Sequence, residues 1–309
     1  MIPRDKFELF TEKLTVAQIP FKENEPMSAH STFKIGGPAR VYVSPKGTDQ
    51  LMSALMLAEQ SGIRSYACGR GSNIVFPDGE FDGAVISTLA HDIIEVNGES
   101  IYAGAGVSLI ELSVAAAKAR LSGLEFAYGI PGSLGGAVFM NAGAYGGEMS
   151  GIVIKSRYID KRKDSGNPVL GEICGNGHQF DYRDSVYRKH PDWVIESVEI
   201  KLETGIKSDI EAKMKDFMSR RREKQPLEFP SAGSAFKRYP GRYTAEMIDS
   251  IGLKGFSIGG AQVSEKHAGF IINKGGATAK DVRCLSDYIK NKIFEVYGIE
   301  IESEIIFLE

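Results

Sequence analysis

A glycine-rich stretch at residues 129–147, GIPGSLGGAVFMNAGAYGG, is the part of the chain best suited to binding chemistry. Seven of its nineteen residues are glycine, which is costly to order and is kept where the backbone needs a positive φ or a very close approach. Consecutive N–H groups in such a turn form a nest that suits phosphate oxygens. Glycine-rich composition is also typical of flexible linkers, but Ile130, Leu134 and Val138 are core-type residues. The stretch therefore predicts an ordered loop against a phosphate-bearing cofactor.

Two further glycine turns follow predicted strands. The first is GRGSN at residues 69–73. The second, AGAG, places Gly104 and Gly106 between a strand and a helix, in the order of a dinucleotide-binding fingerprint. Leu109 stands where that fingerprint needs its third glycine, and Glu125 is poorly placed as the acidic residue expected about 20 positions later. We therefore reject a doubly wound nucleotide-binding fold.

Composition and charge exclude several classes of function. The 309 residues suffice for two or three domains, and a formal net charge of −3 gives no general basis for nucleic-acid binding. No apolar run has the length of a membrane span, and the first residues lack the order of a secretory signal. Three separated cysteines form no disulfide framework, and the histidines show no metal-binding spacing. We expect a cytoplasmic monomer without a metal site, nucleic-acid partner or membrane insertion.

Hydrophobic periodicity predicts the elements that position these turns. Predicted helices cover residues 5–19, 48–61, 109–119, 209–224, 244–251 and 279–297. Predicted strands cover residues 39–43, 64–67, three short runs between 82 and 106, 152–159 and 193–202. In the final segment, residues 299–309, isoleucines alternate with glutamates, which predicts a closing strand with a solvated acidic face. The isoleucines of one face are Ile299, Ile301 and Ile305, and the glutamates of the other are Glu300, Glu302 and Glu304.

The order of these elements indicates three regions. Strand–helix–strand order with glycine turns marks a small α/β region at residues 1–80. Short strands and the glycine-rich stretch occupy residues 81–207. The helix that stops before Pro226 begins a last region at residues 208–309.

Seven motifs give the chain a resemblance to a known family. In chain order they are HSTFKIGG, GRGSNIV, AGAG, GIPGSLGGAVFMNAGAYGGE, FDYRDS, AGSAFK and GGAQVSEKHAGFIIN. Collinear over residues 30–304, they resemble the UDP-N-acetylenolpyruvoylglucosamine reductases of bacterial cell-wall synthesis, the MurB family. The resemblance implies an α+β protein of three domains. The first two form a FAD-binding unit of the vanillyl-alcohol-oxidase (PCMH) type, and the C-terminal α+β domain binds substrate.

The resemblance also implies a reaction. NADPH would reduce non-covalently held FAD, and the reduced flavin would pass hydride from N5 to the methylene carbon of UDP-N-acetylglucosamine enolpyruvate. The product would be UDP-N-acetylmuramate, a precursor of peptidoglycan. Hydride addition leaves negative charge on the α-carbon and its carboxylate, so the protein must stabilise that charge and protonate the carbon.

A catalytic trio is carried by the resemblance onto three positions. Arg183 in FDYRDS would face the substrate carboxylate with its planar fork. Ser234 in AGSAFK would protonate the α-carbon, with Lys237 or a neighbouring cation stabilising its alkoxide. Glu304, when protonated, would hydrogen-bond the carboxylate of the intermediate. Without the resemblance, Arg183 is a surface arginine beside two aspartates, Ser234 a turn or capping serine, and Glu304 part of a solvated strand face.

Cofactor and substrate contacts follow from the same motifs. Those expected for FAD are Gly69, Arg70, Gly71, Ser72, Asn73, Gly132, Ser133, Gly135, Gly136, Asn141 and Ala142, and backbone N–H groups of the last six are expected to meet the pyrophosphate. The substrate diphosphate needs cations or a helix end, and the expected residues are Arg222, Lys224, Lys237 and Lys254. His267 is interpreted as structural.

Some features leave alternatives open. The chain has no room between Phe236 and Ala261 for an extra segment found in the family's longer class, so it resembles the shorter, type II class, and the uridine contacts stay open. Arg238 and Tyr239 stand where many relatives have asparagine and proline. A FAD-dependent oxidase of an alcohol or sugar is one alternative function, and a nucleotide-sugar-binding regulator without activity is another. The third-domain motifs argue against the first, and the intact trio argues against the second.

Overall fold

The computed structural model describes residues 5–161 and 167–309. The chain divides into two compact units. The first comprises residues up to Glu25, Ala39–Arg70 and Asp82–Ser219; the second comprises Pro26–Pro38, Gly71–Phe81 and Arg220–Glu309. The bounds 1–80, 81–207 and 208–309 stay a prediction.

Helices lie close to where the apolar periodicity predicts them. The α-helices of the described residues are α1 (Lys6–Val16), α2 (Gly47–Gln60), α3 (Leu109–Lys118), α4 (Leu134–Phe139), α5 (Val186–Lys189), α6 (Lys207–Lys224), α7 (Thr244–Ser250) and α8 (Ala279–Tyr297). All but α4 and α5, the two shortest, were predicted.

Strands are mostly short. They are β1 (Phe21–Pro26), β2 (Pro38–Val43), β3 (Ser65–Cys68), β4 (Ile74–Val75), β5 (Phe81–Ser87), β6 (Ile94–Asn97), β7 (Ser100–Gly104), β8 (Leu121–Ser122), β9 (Gly143–Ala144), β10 (Gly147–Glu148), β11 (Val153–Asp160), β12 (Val169–Cys174), β13 (Trp193–Lys201), β14 (Glu203–Thr204), β15 (Ser231–Ser234), β16 (Ser257–Ile258), β17 (Ala261–Val263), β18 (Phe270–Asn273) and β19 (Ile306–Phe307).

The first sheet of the first unit has the strand order β1–β2–β5–β3, with β3 and β5 parallel. The apolar faces of α1 and α2 supply its core, where Leu14 and Leu55 are buried with Val41 and Ile86. Helix α2 is followed by Gly62, whose φ of +62° is the left-handed conformation in which helices commonly end. This βαβ-like region therefore delivers β3 directly into the turn at residues 69–73.

The second sheet of the first unit has the order β12–β11–β13–β7–β6. Each neighbouring pair is antiparallel. Strand β7 ends at Gly104, so the AGAG sequence leaves an antiparallel strand, whereas a doubly wound nucleotide fold has parallel neighbours at that point. The structure confirms that this fold was rightly rejected.

The glycine-rich stretch is ordered. Its middle forms α4, whose Leu134 and Val138 are fully buried in one core with Ile101 and Leu112. Its end forms the β9–β10 hairpin. The prediction of an ordered segment rather than a linker is confirmed, because core side chains hold the glycines in place.

The second unit is built around an antiparallel sheet in the order β15–β18–β17–β16. Helix α8 buries Val282, Leu285 and Ile289 in its core. A capping box between Thr278 and Asp281 begins this helix, and Gly298, with φ +66°, follows its end. The apolar spacing predicted α8 at the bounds that the structure gives.

Two earlier segments of the chain belong to the second unit. Phe33 and Val75 lie in its core. The carboxylate of Asp78 accepts hydrogen bonds of 2.6 and 3.0 Å from the N–H groups of Ala279 and Lys280, which begin α8. Asp78 thereby satisfies donors that the first turn of a helix leaves unpaired.

The predicted closing strand is wrong over most of its length. Ile301 and Ile305 are buried, as the alternation required. However, residues 299–305 contain only an isolated bridge between Ser303 and Phe236, and the regular strand is β19. Glu302 is exposed and Glu304 half-buried, so the acidic face is not uniform. Regular pairing is interrupted because the chain turns from Phe236 to its new partner, β4.

None of the helices in residues 5–161 and 167–309 is both long and apolar enough to span a membrane.

A buried polar cluster links the second sheet of the first unit to helix α2. Glu196 is 1% exposed and lies at a register irregularity of β13, where Tyr158 pairs with Ile195 and Arg157 with Ser197. Its carboxylate lies 2.9 Å from His91 Nε2 and accepts hydrogen bonds from the hydroxyls of Thr48 and Ser197. Burial raises the pKa of Glu196, but the interaction with His91 and the hydrogen bonds from Ser197 and Thr48 outweigh it and lower the pKa from 4.5 to about 2.

This pKa predicts how acid acts on stability. Because the folded pKa is depressed, Glu196 contributes stability above pH 4.5 that is lost progressively as the pH falls toward 2. We expect Glu196→Gln to reduce the loss of unfolding free energy between pH 6 and pH 3 by about 2 kcal/mol, measured by urea denaturation. Glu199→Gln, on the same strand but in a partly exposed pair with Lys155, is the matched control. Parallel pH profiles for wild type and Glu196→Gln would contradict the prediction.

Candidate functional site

Backbone donors of the glycine-rich stretch are fewer than predicted. Gly135 N–H donates to Ala105 O (2.9 Å), Asn141 N–H to Val138 O (3.2 Å) and Ala142 N–H to Ala137 O (2.8 Å). The expectation that these three N–H groups meet a pyrophosphate is therefore wrong, since carbonyls of the protein already accept from them. Of the six N–H groups predicted to meet the pyrophosphate, those of Gly132, Ser133 and Gly136 make no such bond within the described residues.

The hydroxyl of Ser133 is the buried polar atom that most needs a partner. Ser133 is 2% exposed, and its Oγ has no hydrogen-bond partner among the described residues. Such buried groups are nearly always satisfied in folded proteins. A Cβ on Gly69 would collide with this Oγ, and one on Gly136 would lie 3.4 Å from it. The first two predicted cofactor segments therefore touch within the first unit, and both use glycine at the contact.

This donor set fits a diphosphate. Gly132, Ser133 and Gly136 lie within five residues of one another and offer three N–H groups and one hydroxyl, donors of the kind that phosphate oxygens accept. Arg70 is exposed and lies near enough to Glu111 to lower the pKa of that carboxyl, after the larger effect of the hydrogen bond from Ser108. Gly132, Ser133, Gly136 and Gly69 are thus suited to hold the phosphates of FAD.

The rest of the GRGSN turn, residues 71–73, belongs to the second unit. Gly71 has φ +59°, and a Cβ there would overlap His30 O. Asn73 donates from Nδ2 to Glu304 O (3.0 Å), and Asn73 O accepts from Ile306 N–H (3.0 Å). Asn73, predicted to contact the cofactor, therefore fixes the backbone that carries Glu304. Ser72 is half-buried, and its predicted role stays a prediction.

Arg183 lies at the tip of a tight turn in the first unit. Asp181 and Asp184 exchange two backbone hydrogen bonds of 3.1 Å each. Arg183 itself has φ +54°, an unusual conformation for a residue with a side chain. Its guanidinium donates to Gly143 O (3.0 Å) and Asn141 O (3.4 Å). The structure therefore brings Arg183 against the end of the glycine-rich stretch.

The turn is held by Asn141, which the sequence analysis assigned to the cofactor, and by two side chains to which it assigned no role, Ser185 and Arg188. Asn141 donates from Nδ2 to Asp181 O (3.0 Å) while its Oδ1 accepts from Ser150 N–H (2.9 Å). Ser185 Oγ donates to Phe139 O (2.8 Å), and Arg188 donates to Arg183 O (2.7 Å). The amide of Asn141, predicted to contact the cofactor, is thus engaged in positioning the turn. A buried asparagine with a positive φ, here 43°, is the signal that marks it.

Ser234 and Glu304 come together within the second unit. Ser234 ends β15 after Gly233, whose φ is +78°, and β15 changes register against β18 between Ser231 and Ser234. The next residue, Ala235, accepts a hydrogen bond from Glu304 N–H (2.9 Å). The hydroxyl of Ser234 makes no hydrogen bond within the described part of the chain. A serine hydroxyl and a half-buried carboxyl on adjacent backbone can act together on one substrate.

The four predicted substrate cations lie in the second unit. Arg222 and Lys224 are exposed in the last turn of α6. Lys237 pairs with Glu302 (2.8 Å) and Lys254 with Asp249 (2.5 Å). Since Lys237 faces an exposed carboxylate, its predicted help to Ser234 has a competitor. His267 accepts from Gly269 N–H through Nδ1 (3.1 Å), and burial lowers its pKa, as expected of a structural histidine.

Comparison with known families divides the chain in two. Residues 39–161 match the family described as "FAD binding domain". Residues 225–308 match the family described as "UDP-N-acetylenolpyruvoylglucosamine reductase, C-terminal domain".

Similar proteins extend the match to nearly the whole chain. A UDP-N-acetylenolpyruvoylglucosamine reductase of Clostridium botulinum (strain Hall) is 44% identical over 284 residues, covering 91% of this chain and 90% of that protein. One of Clostridium perfringens (strain SM101) is 44% identical over 282 residues, covering 91% of each.

Solved structures agree. The crystal structure of UDP-N-acetylenolpyruvylglucosamine reductase (MurB) from Thermus caldophilus has a TM-score of 0.77 at 30% identity, covering 94% of this chain and 99% of its own. A solvent-stable cholesterol oxidase shares the fold alone, with a TM-score of 0.50 at 16% identity over 61% of this chain and 38% of its own. The predicted fold class, a PCMH-type FAD-binding unit with a C-terminal α+β domain, is confirmed.

Contact between Gly69 and Ser133 gives a direct test of the cofactor site. A Cβ at Gly69 must either turn the Ser133 hydroxyl away or separate the two segments. We therefore expect Gly69→Ala to weaken FAD binding at least about tenfold, or about 1.4 kcal/mol, measured by fluorescence titration of flavin-stripped protein.

Gly151→Ala is the matched control, because a Cβ there meets nothing within 4 Å and its φ is not positive. Equal FAD affinity in the two variants would exclude this contact from the cofactor site.

Proposed function

The chain belongs to the UDP-N-acetylenolpyruvoylglucosamine reductase family, and we propose that it reduces UDP-N-acetylglucosamine enolpyruvate to UDP-N-acetylmuramate with NADPH as donor. This is the UDP-N-acetylmuramate dehydrogenase reaction of peptidoglycan precursor synthesis. The single observation that carries the proposal is the identity to reductases of this name across nine-tenths of the chain. The type II class, a monomeric state and a cytoplasmic location belong to the same proposal.

FAD is the cofactor of this proposal. Its chemistry would be to accept hydride from NADPH and pass it to the methylene carbon of the enolpyruvyl ether. Gly132, Ser133 and Gly136 would bind its phosphates through N–H groups and the Ser133 hydroxyl. Close approach of Gly69 leaves no room for a side chain there, so the Ser133 hydroxyl would keep its position when FAD binds.

Arg183 would stabilise the charge that develops on the substrate carboxylate. Its guanidinium already donates to Asn141 O and Gly143 O, so the side chain is oriented by the protein before substrate arrives. Pre-oriented donors are worth more to the transition state than mobile ones, because the protein does not reorganise during the step. The unusual φ of Arg183 fits a residue held for function.

Ser234 would protonate the α-carbon after hydride has reached the methylene carbon. The proton leaves the Oγ and forms the new C–H bond, so an alkoxide develops on serine and must be stabilised. Lys237 is three residues away and paired with Glu302, so it would have to exchange that partner to assist. The register change at Gly233 presents Ser234 at the end of β15 and supports this role.

Glu304 would hold the carboxylate of the intermediate by donating a hydrogen bond in its protonated form. Its backbone is fixed on both sides, because Glu304 N–H donates to Ala235 O and Glu304 O accepts from Asn73. A carboxyl that must donate rather than accept needs a well-defined position, since the opposite protonation state would repel the substrate. This fixation supports the proposed role.

An anaerobic titration followed by visible absorption tests the proposed function. We expect the yellow protein to bleach when NADPH is added and to recover its colour when UDP-N-acetylglucosamine enolpyruvate follows. Reoxidation by oxygen alone, with no response to the substrate, would point instead to an oxidase with the same fold. A colourless protein that takes up no FAD would contradict the cofactor assignment.

Replacement of Ser234 separates the two half-reactions. We expect Ser234→Ala to keep flavin reduction by NADPH and to slow reoxidation by the enolpyruvyl substrate about 10²–10⁴-fold, the range for loss of a general acid. Stopped-flow absorption measures both steps on one sample. Ser231→Ala, at the other end of β15, is the matched control. Equal losses in both half-reactions would remove Ser234 from the role of proton donor.

A further inference from the structure

Three buried side chains form a hydrogen-bonded chain that the proposed reaction does not use. Ser156 Oγ lies 2.7 Å from His178 Nε2 and 2.6 Å from Tyr187 Oη. His178 Nδ1 lies 2.8 Å from Gly175 O. Ser156, His178 and Tyr187 are each at most 1% exposed. Their polar atoms therefore depend on one another, because water does not reach them.

The direction of each hydrogen bond follows from the one between His178 Nδ1 and Gly175 O. Gly175 O can only accept, so His178 Nδ1 carries a proton and donates. Burial lowers the pKa of His178, which favours the neutral ring, and its Nε2 then accepts. Ser156 donates to Nε2, and Tyr187 donates to Ser156 Oγ. One arrangement satisfies all three side chains.

The sequence positions of these hydrogen-bonded residues relate them to Arg183. His178 and Tyr187 flank the turn that carries Arg183, and both bond to the same hydroxyl on β11. The ring of Phe180, between His178 and the turn, stacks on His178 with centroids 4.9 Å apart and planes within 2°. Ser156 thus joins the two ends of residues 178–187. We call the buried, hydrogen-bonded residues Ser156, His178 and Tyr187 the clasp.

We infer that Tyr187, Ser156 and His178 are positioning residues for Arg183, because their hydrogen-bonded chain fixes both ends of the segment from which that arginine projects. The inference rests on the proposed role of Arg183. The tip of the segment is tied separately by Asn141 and Arg188. Clasp and tip together fix the guanidinium, whereas the tip alone leaves the segment free to shift at its base.

Tyr187→Phe is the sharpest probe of the clasp. The ring is held independently by Tyr158 and Trp193, at centroid distances of 6.0 and 6.4 Å, so the substitution removes a hydroxyl and keeps the packing. Misplacing a reacting group by about 1 Å costs up to about 10²-fold in rate. We expect Tyr187→Phe to slow flavin reoxidation by the enolpyruvyl substrate about tenfold and Ser156→Ala about 10²-fold, both with flavin reduction by NADPH unchanged.

Matched controls remove the same atoms elsewhere in the first unit. Tyr42→Phe deletes a buried tyrosine hydroxyl that bonds to Ser87. Ser113→Ala deletes a buried serine hydroxyl that donates to Leu109 O (2.7 Å). We expect these variants to leave the ratio of the two half-reaction rates at the wild-type value, even where they lower the melting temperature.

A second readout reports on Arg183 without turnover. In full-length, oxidised, FAD-bound protein labelled with ¹⁵N-arginine, the Nε–H signal of Arg183 is assigned by its loss in Arg183→Lys. We expect Tyr187→Phe to shift or broaden this signal and Tyr42→Phe to leave it in place. A folded Tyr187→Phe protein with an unchanged signal and unchanged reoxidation would overturn the inference, as would equal slowing of both half-reactions.

The experiments distinguish a failure of the proposed function from a failure of this inference. If wild-type protein is reduced by NADPH but not reoxidised by the enolpyruvyl substrate, the reaction assignment and the inference that rests on it both fall. If wild type completes both half-reactions and Tyr187→Phe behaves like Tyr42→Phe, only the inference falls.

Discussion

The first unit depends on one close contact between backbones, where the glycine-rich stretch crosses the loop after β7. Gly135 N–H donates to Ala105 O and Leu134 N–H to Val107 O, and a Cβ on Gly135 would lie 2.8 Å from the Cβ of Ala105. Each hydrogen bond contributes about 1 kcal/mol, but the contact matters more as a constraint: it fixes Ser133 and α4. The end of α4 in turn fixes Arg183, through bonds from Ser185 to Phe139 O and from Asn141 to Asp181 O.

In the second unit, hydrogen bonds to the backbone of Glu304 provide a similar constraint. Ala235 and Asn73 hold Glu304 from its two sides, and Ser234 precedes Ala235. These backbone hydrogen bonds fix the positions of Ser234 and Glu304 without using the Ser234 hydroxyl. This explains why Ser234 keeps an unbonded hydroxyl among the described residues, whereas the serines of the clasp and of the Arg183 turn do not.

Much of the fold could be predicted from periodicity, because a long amphipathic helix such as α8 repeats its apolar spacing over many turns. The family and its fold class could be recognised from collinear motifs. Two features could not. α4 is too short to show a period and is held by tertiary contacts. The final segment has the alternation of a strand, yet its partner changes from Phe236 to β4, and no local pattern records a change of partner.

The donors of the glycine-rich stretch show where sequence reasoning about a site reaches its limit. Glycine content indicates that N–H groups can approach a ligand, but whether Gly135 or Gly136 has a free N–H depends on Ala105, some thirty residues earlier. The positioning side chains were missed for the complementary reason. Ser156 and His178 lie outside the seven motifs, and Asn141 was assigned to the cofactor; the contacts of all three within the protein follow only from burial, because a buried polar group must bond to something. His178 and Tyr187 share the hydroxyl of Ser156 on either side of Arg183 in the sequence, and burial of all three is the observation from which their proposed positioning role follows.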